Sequence, residues 1–274
     1  MRQLGLGQKA AARGYRLFGF DSIGSTSDAA AEAARAGDAG DTWFAALEQT
    51  AGRGRRGRPW ETTRGNLAAS LLYYPKADPA AAATLGFVAG VALGRALATA
   101  APDAAIAVGL DGGTAARGRF ALKWPNDVLA DGAKLAGILL EAHRVASGRT
   151  AVVVGFGINI AAAPQDLPYP ATSLRQLGSD ATAAAVFAAL SDCWVDCIGT
   201  WDDGRGAGDI LAAWRQTAAG IGAEIAVRRD GDVIRGIFET IDDSGRLIVR
   251  GPDNTRIPIT AGDVHFGATA GVTQ

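Results

Sequence analysis

From about Ile221 the sequence changes its period, and that change limits the architecture more than any other feature. Before it, apolar strand-like runs alternate with alanine-rich stretches of helical spacing. After it come only short β-branched runs, "EIAVRR", "VIRGIFETI", "RLIVR" and "TRIPIT", separated by the turn pairs Asp230-Gly231 and Ser244-Gly245. An all-β module of about fifty residues most readily removes its sheet edges by closing into a small barrel. Three parts are therefore expected: a loose leader over residues 1–14, an α+β part with a mixed, mainly antiparallel sheet over 15–220, and the small β part over 221–274.

Within the larger part, "YRLFGF" alternates as a strand and runs into "SIGSTSDAAAEAARAG", whose Ser/Thr/Asp caps open a helix ending at Gly37. "TWFAALEQ" and "NLAASLLYY" read as buried strands. Pro79 to Ala100 reads as one long helix, and "RFALKW" as a strand whose exit is set by Pro125. "VLADGAKLAGILLEA" has the form of a hairpin turning at Asp131-Gly132. "TAVVVGFGINI" is a buried strand whose glycines mark a close approach by something. Helices follow over 181–200 and 207–219. No internal repeat is evident.

Charge and cysteine content exclude several classes. The net charge of −1 provides no general field to draw the chain onto DNA or an anionic membrane, so any anion site must be local. Cys193 and Cys197, one helical turn apart, read as buried thiols, and neither His143 nor His265 lies near enough in sequence to suggest a metal ligand set. No signal peptide is recognisable and no run approaches a membrane span, so a cytoplasmic protein is expected.

Three constellations could carry chemistry. "GRGRRGR", Gly52 to Arg58, packs four arginines and three glycines into seven positions between two apolar strands. Guanidinium forks and closely approaching backbone N–H groups suit phosphate, while a solvated basic loop or a short nucleic-acid-binding Arg/Gly segment are the alternatives. "ALKWPNDVL" sets Lys123, Asn126 and Asp127 at the end of an apolar strand; Asp127 could equally cap a turn. "GAKLAGILLEA" places Lys134 before the small residues Ala136 and Gly137, where it serves either as an edge-strand guard or as a charge facing a developing oxyanion. Together they supply cations for phosphates, a carboxylate and an amide for a base, a collection suited to nucleotidyl transfer. There is no P-loop and no nucleophile triad.

In this order and at these separations, "GRGRRGRPW", "KWPNDVL" and "KLAGILLE", with "STS" at Ser25 to Ser27 and "GFGINI" at Gly155 to Ile160, resemble the biotin protein ligases. The resemblance spans about Phe18 to Phe266 and implies a class II synthetase-like catalytic domain bearing the biotin and ATP sites, followed by an SH3-like barrel. It implies a reaction in two halves, biotin plus ATP giving biotinyl-5′-AMP, then transfer to a lysine of a biotin carboxyl carrier protein, with Mg²⁺ accompanying ATP. By matching positions, Ser25, Thr26, Ser27, Gln49, Arg53, Gly54, Arg55, Trp60, Lys134 and Gly137 would face biotin. Arg53, Arg55, Arg56, Trp60, Asn126, Lys134 and Asn159 would face the nucleotide, and Lys134, Arg55 and Asp127 would act in catalysis. The glycine-rich loop is expected to be mobile when empty and ordered over the intermediate. Ser27 stands where the family usually has Asn. With only about fourteen residues before the first strand, no DNA-binding domain and no repressor function are expected; pairing into a homodimer stays open. A lipoate ligase is the rival within the fold, disfavoured by the polar residues Ser25, Thr26 and Gln49.

Overall fold

The computed structural model describes residues 4–105, 118–165, 167–229 and 232–266, so the expected turn at Asp230-Gly231 lies outside the described residues. Twelve strands form two sheets, joined by seven α-helices, among the described residues.

The larger sheet has seven strands in the order β1-β2-β3-β7-β6-β5-β4. These are β1 (Arg16–Phe20), β2 (Thr42–Ala46), β3 (Leu67–Tyr73), β4 (Phe120–Lys123), β5 (Asp127–Ala130), β6 (Ala133–Arg144) and β7 (Thr150–Ile158). Only β1 and β2 run parallel, because α2 (Thr26–Arg35) crosses between them; every other pair is antiparallel. The β5–β6 hairpin turns at Asp131 and Gly132, both with positive φ, the type I′ geometry that their sequence anticipates.

The sheet's two faces are covered differently. Trp43, Ala45, Leu67, Leu71, Val154, Phe156 and Ile158 point into the main core, where α4 (Leu85–Ala100) and α6 (Ala183–Trp201) pack against each other and the sheet. On the other face Ala30, Ala31 and Ala34 of α2 lie on Phe44, Leu72 and Val153. That helix covers only the β1–β3 side and the far end of β7, which leaves the remainder of the face open to the site.

Several sequence expectations need correction. The expected helix from Pro79 to Ala100 is two, α3 (Pro79–Ala83) and α4, broken at Thr84. The Thr84 hydroxyl donates to the Ala81 carbonyl and accepts from the Trp201 indole at 2.7 Å, so a tertiary bond sits where the helix would have continued. Pro79–Ala100 and Ala183–Gly204 are also long and apolar enough to cross a membrane by length and composition, contrary to expectation. Both supply large parts of their surface to the core. The leader contains α1 (Gln8–Ala12), docked on α6 through Gly7 N–H to Ser191 Oγ at 2.8 Å and Ala10 N–H to Asp192 at 3.0 Å, with Ala10 buried. Cys197 is buried and Cys193 half-buried; burial pushes the Cys197 thiol up to about 11, which keeps it protonated and inert.

After the short α5 (Pro102–Ala105) and α7 (Ala207–Thr217), the chain enters an SH3-like antiparallel sheet of order β11-β10-β9-β8-β12. Its strands are β8 (Glu224–Arg229), β9 (Asp232–Ile241), β10 (Leu247–Arg250), β11 (Arg256–Ile259) and β12 (Asp263–Phe266), the last unforeseen. Ile225, Val227, Phe238, Ile241 and Val249 belong to the same apolar core as Trp124 and Trp214. The Trp124 indole donates to Gly245 O at 3.0 Å, Arg215 Nε to Ile241 O at 3.0 Å, and Ala219 N–H to Leu122 O at 2.8 Å.

Candidate active site

One cross-strand row organises the site. Lys123 of β4 pairs in register with Asp127, Asp127 with Gly137, Gly137 with Gly157, Gly157 with Ala68 and Ala68 with Ala46. Side chains at paired positions share a face, so this row is a charged pair at one end followed by a trough of glycines and alanines. Its depth comes from residues that have almost nothing to project.

Beside the trough lies a hydroxyl and amide network. Ser25 caps α2 by accepting from Asp28 N–H at 3.2 Å. The Thr26 N–H and hydroxyl both donate to Gln49 Oε1, at 2.8 and 3.1 Å, and Gln49 Nε2 donates to the Thr62 hydroxyl at 3.3 Å. The Ser70 hydroxyl on β3 lies 2.8 Å from that of Thr26 and 3.1 Å from that of Ser27. All of Ser25, Thr26, Ser27, Thr62 and Ser70 are buried. A Cβ on Gly155 would stand 3.0 Å from Ser27 Oγ, so this glycine makes room for the network. Ser70 and Thr62 were missed in the sequence, because one hydroxyl in an apolar strand, or in the polar run "ETTRGN", carries no local signal.

Trp60 lies across the trough. A Cβ on Gly157 would come within 2.3 Å of its indole nitrogen, and one on Gly137 within 3.1 Å of its ring. The close approach that the β7 glycines imply is thus made by a side chain of this protein. Lys134 Nζ is 2.8 Å from Asp127 Oδ1, 5.4 Å from the centroid of Trp60 and 5.5 Å from that of Tyr169. Its main chain is gripped by a distant segment, Lys134 N–H donating to Pro170 O at 2.8 Å and Thr172 N–H to Lys134 O at 2.9 Å. Tyr169 reaches the site through these bonds, a placement that no sequence motif announces. Lys123 is also close enough to matter: burial pushes its pKa down, and the Asp127 carboxylate opposes that shift.

The arginine loop closes on itself through Trp60 N–H to Gly52 O at 2.9 Å and Gly54 N–H to Arg58 O at 2.7 Å. Gly52 is required there, since a Cβ would stand 2.4 Å from Trp60 O. The four guanidiniums divide. Arg53 reaches Asp28 at 2.6 Å, while Arg55, Arg56 and Arg58 all converge on Asp263 of β12, at 2.9, 3.1 and 2.8 Å. In this structure the loop is bonded to the carboxylates of Asp28 and Asp263, with Glu141 3.9 Å from Arg53. Partial burial would raise the Asp263 carboxyl, but the Arg58 hydrogen bond and the charges of Arg58, Arg55 and Arg56 outweigh it and hold the group below the usual carboxylate range. Arg55 is the most enclosed of the three; burial lowers its pKa, against the pull of Asp263 and Asp127.

The two asparagines differ. Asn126 Nδ2 is committed to Ile138 O at 2.6 Å and its own carbonyl accepts from Ile138 N–H at 2.8 Å, so it stitches the turn to β6. Asn159 is 2 % exposed and donates to Thr172 O at 3.2 Å, yet its Oδ1 has no partner among the described residues. A buried acceptor left unpaired costs roughly 1–3 kcal/mol, which points to a donor brought by something that binds. Among the described residues no group of three His, Cys, Asp or Glu side chains could hold a metal ion.

Comparison with known proteins shows the family of the chain. Residues 20–159 match the biotin/lipoate A/B protein ligase family and residues 220–267 the biotin protein ligase C-terminal domain. The biotin–[acetyl-CoA-carboxylase] ligase of Paracoccus denitrificans is 40% identical over 236 residues, 84% of this chain and 92% of that protein. The ligase of the same description from Mycobacterium tuberculosis is 37% identical over 249 residues, 88% and 85% of the two chains. Among solved structures, the biotin protein ligase of Aquifex aeolicus in complex with biotin and ATP superposes with a TM-score of 0.74 at 22% identity, covering 92% of this chain and 98% of that one.

Proposed function

Because the chain belongs to the biotin protein ligase family, we propose that it activates biotin with ATP and transfers the biotinyl group to a lysine of a biotin carboxyl carrier protein. In the first half the biotin carboxylate attacks the α-phosphorus, forming biotinyl-5′-AMP and releasing pyrophosphate. In the second the lysine amine attacks the acyl carbon, giving an amide and releasing AMP.

The observation that carries this reading is the trough, with hydroxyls and an amide at one side, glycines and alanines along it, and the Lys134–Asp127 pair at its end. It suits an acid with a hydrogen-bonding head, a short aliphatic chain and an anionic tail. Ser25, Thr26, Ser27 and Gln49 would meet the ureido head, and Trp60, which rests on Gly137 and Gly157, would pack on the chain as a wall beside it. Lys134 would leave Asp127 for the carboxylate and α-phosphate oxygens, stabilising the charge that builds on them. Arg53, Gly54, Arg55 and Arg56 would cover the adenylate, Asn159 would offer its unpaired oxygen to an exocyclic amine of the base, and Asn126 would shape the turn beside it. Asp127, released by Lys134, would orient the incoming amine.

A Mg²⁺ ion enters this scheme as the counter-ion of ATP, part of the substrate. Asp127 does not make a resident Mg²⁺ site by itself, since among the described residues no second or third carboxylate, His or Cys joins it as a ligand and Lys123 flanks it. We assign the chain no DNA-binding role, as a net charge of −1 provides no footprint for a polyanion, and place its reaction in the cytoplasm, where ATP and carrier proteins meet.

ATP–pyrophosphate exchange with biotin or lipoate as the only acid tests the assignment. Exchange that requires biotin and falls at least about a hundredfold in Lys134→Ala is the expected result. Exchange supported by lipoate alone would move the protein to the other branch of its family, and none with either acid would end the adenylation reading.

A further inference from the structure

We propose that Asp263 is an internal competitor for the phosphate-binding arginines, so that nucleotide binding and the grip of the C-terminal sheet on the arginine loop exclude one another. This rests on the reading above, in which the loop covers the phosphates of ATP.

Three guanidiniums meet at the single carboxylate of Asp263 within 2.8 to 3.1 Å, an arrangement that a phosphate group would otherwise satisfy. The fourth arginine of the loop is likewise held by a carboxylate, Asp28. The charge balance favours exchange: three positive charges face one negative charge, and a triphosphate brings several charges with oxygens enough for every fork. Access favours it too, as the Arg56 and Arg58 side chains are 51% and 64% exposed, so an incoming anion reaches them before Asp263 has to let go. Arg56 sits at φ 57°, ψ 28°, a left-handed conformation that non-glycine residues seldom hold, while its guanidinium bonds Asp263. Finally, Asp263 opens β12, an edge strand of four residues paired, among the described residues, with β8 alone. Its first residue can withdraw while Val264 stays buried in the core.

The competition predicts a gain of affinity on removing a contact. Asp263→Asn should bind ATP, measured calorimetrically with biotin and Mg²⁺ present, about fivefold or more tightly than the wild type, with biotin binding alone unchanged and Asp263→Glu close to wild type. Hydrogen exchange on the unmodified protein gives a second reading that needs no variant: ATP plus biotin should speed exchange in residues 263–266. Weaker or unchanged ATP binding in Asp263→Asn, or slower exchange in β12, would show that Asp263 instead orients the arginines and stays with them, and would overturn the proposal. Arg55→Ala separates the two ideas. If it leaves ATP affinity untouched, the assignment of the loop to phosphate fails; if it weakens ATP binding while Asp263→Asn does not strengthen it, only the competition fails.

Discussion

Gly157 decides what can lie over the sheet at the centre of the site. With the Trp60 indole where a Cβ would be, at 2.3 Å, even one added methyl must displace the ring. The expected outcome for Gly157→Ala is a loss of about tenfold or more in kcat/KM for biotin with Tm nearly unchanged, because the ring that moves lies across the trough while the core is left alone. Steady-state kinetics and a calorimetric melt check both halves. This residue was legible: glycines interrupting "TAVVVGFGINI" announce a close approach. What approaches was not legible, because Trp60 arrives from a loop nearly a hundred positions earlier. Lys134 and Asp127 were readable as charges beside apolar strands, whereas their ion pair and the Tyr169 ring depend on register and on a segment with no motif of its own.

Between elements, the least conspicuous polar residue does the most joining. Asn66, 1% exposed at the entry to β3, accepts through Oδ1 from the N–H groups of Ile160, Ala161 and Ala162 at 2.9, 2.8 and 3.2 Å and donates to Ala162 O at 2.8 Å. It turns the chain as it leaves β7, next to Asn159. Asn66→Ala would strand three donors and an acceptor, and the expected cost is about 2–4 kcal/mol, seen as a lower urea midpoint with an unchanged slope. Strands and hairpin could be read from period and turn chemistry, yet nothing in "RGNLAAS" singles out this asparagine, whose partners lie 94 to 96 positions away. The same reason hid the break at Thr84, set by Trp201, and β12, whose "DVHF" is too short and too polar to read as a strand.

For the molecule as a whole, the two sheets are held by apolar packing at Trp124 and Trp214 and by the charged cluster at Asp263. The pH dependence of that cluster has a definite sign. The folded pKa of Asp263 lies below its ordinary value of 3.8, so its contribution to stability is fully present above that value and is lost as pH falls through the lower, folded one. The stability difference between wild type and Asp263→Asn should therefore stay constant from neutrality to about pH 4 and shrink only below it, as near-UV circular dichroism melts at successive pH values would record. A difference that faded already near pH 6 would assign the effect to another group.

The period change at Ile221 was the clearest sign of organisation in the sequence, and it invites a cut there that the structure does not favour. Trp124 reaches across to Gly245, Phe87 presses on the same turn, and Leu122 pairs with the chain that leads into β8. Each piece, made alone, would carry half of a greasy seam shaped for the other. The boundary that the eye finds in the letters marks where one sheet gives way to the other, but the seam across it is shared; to a ribosome or an engineer, this is a molecule to be delivered whole, or as two halves made in each other's presence.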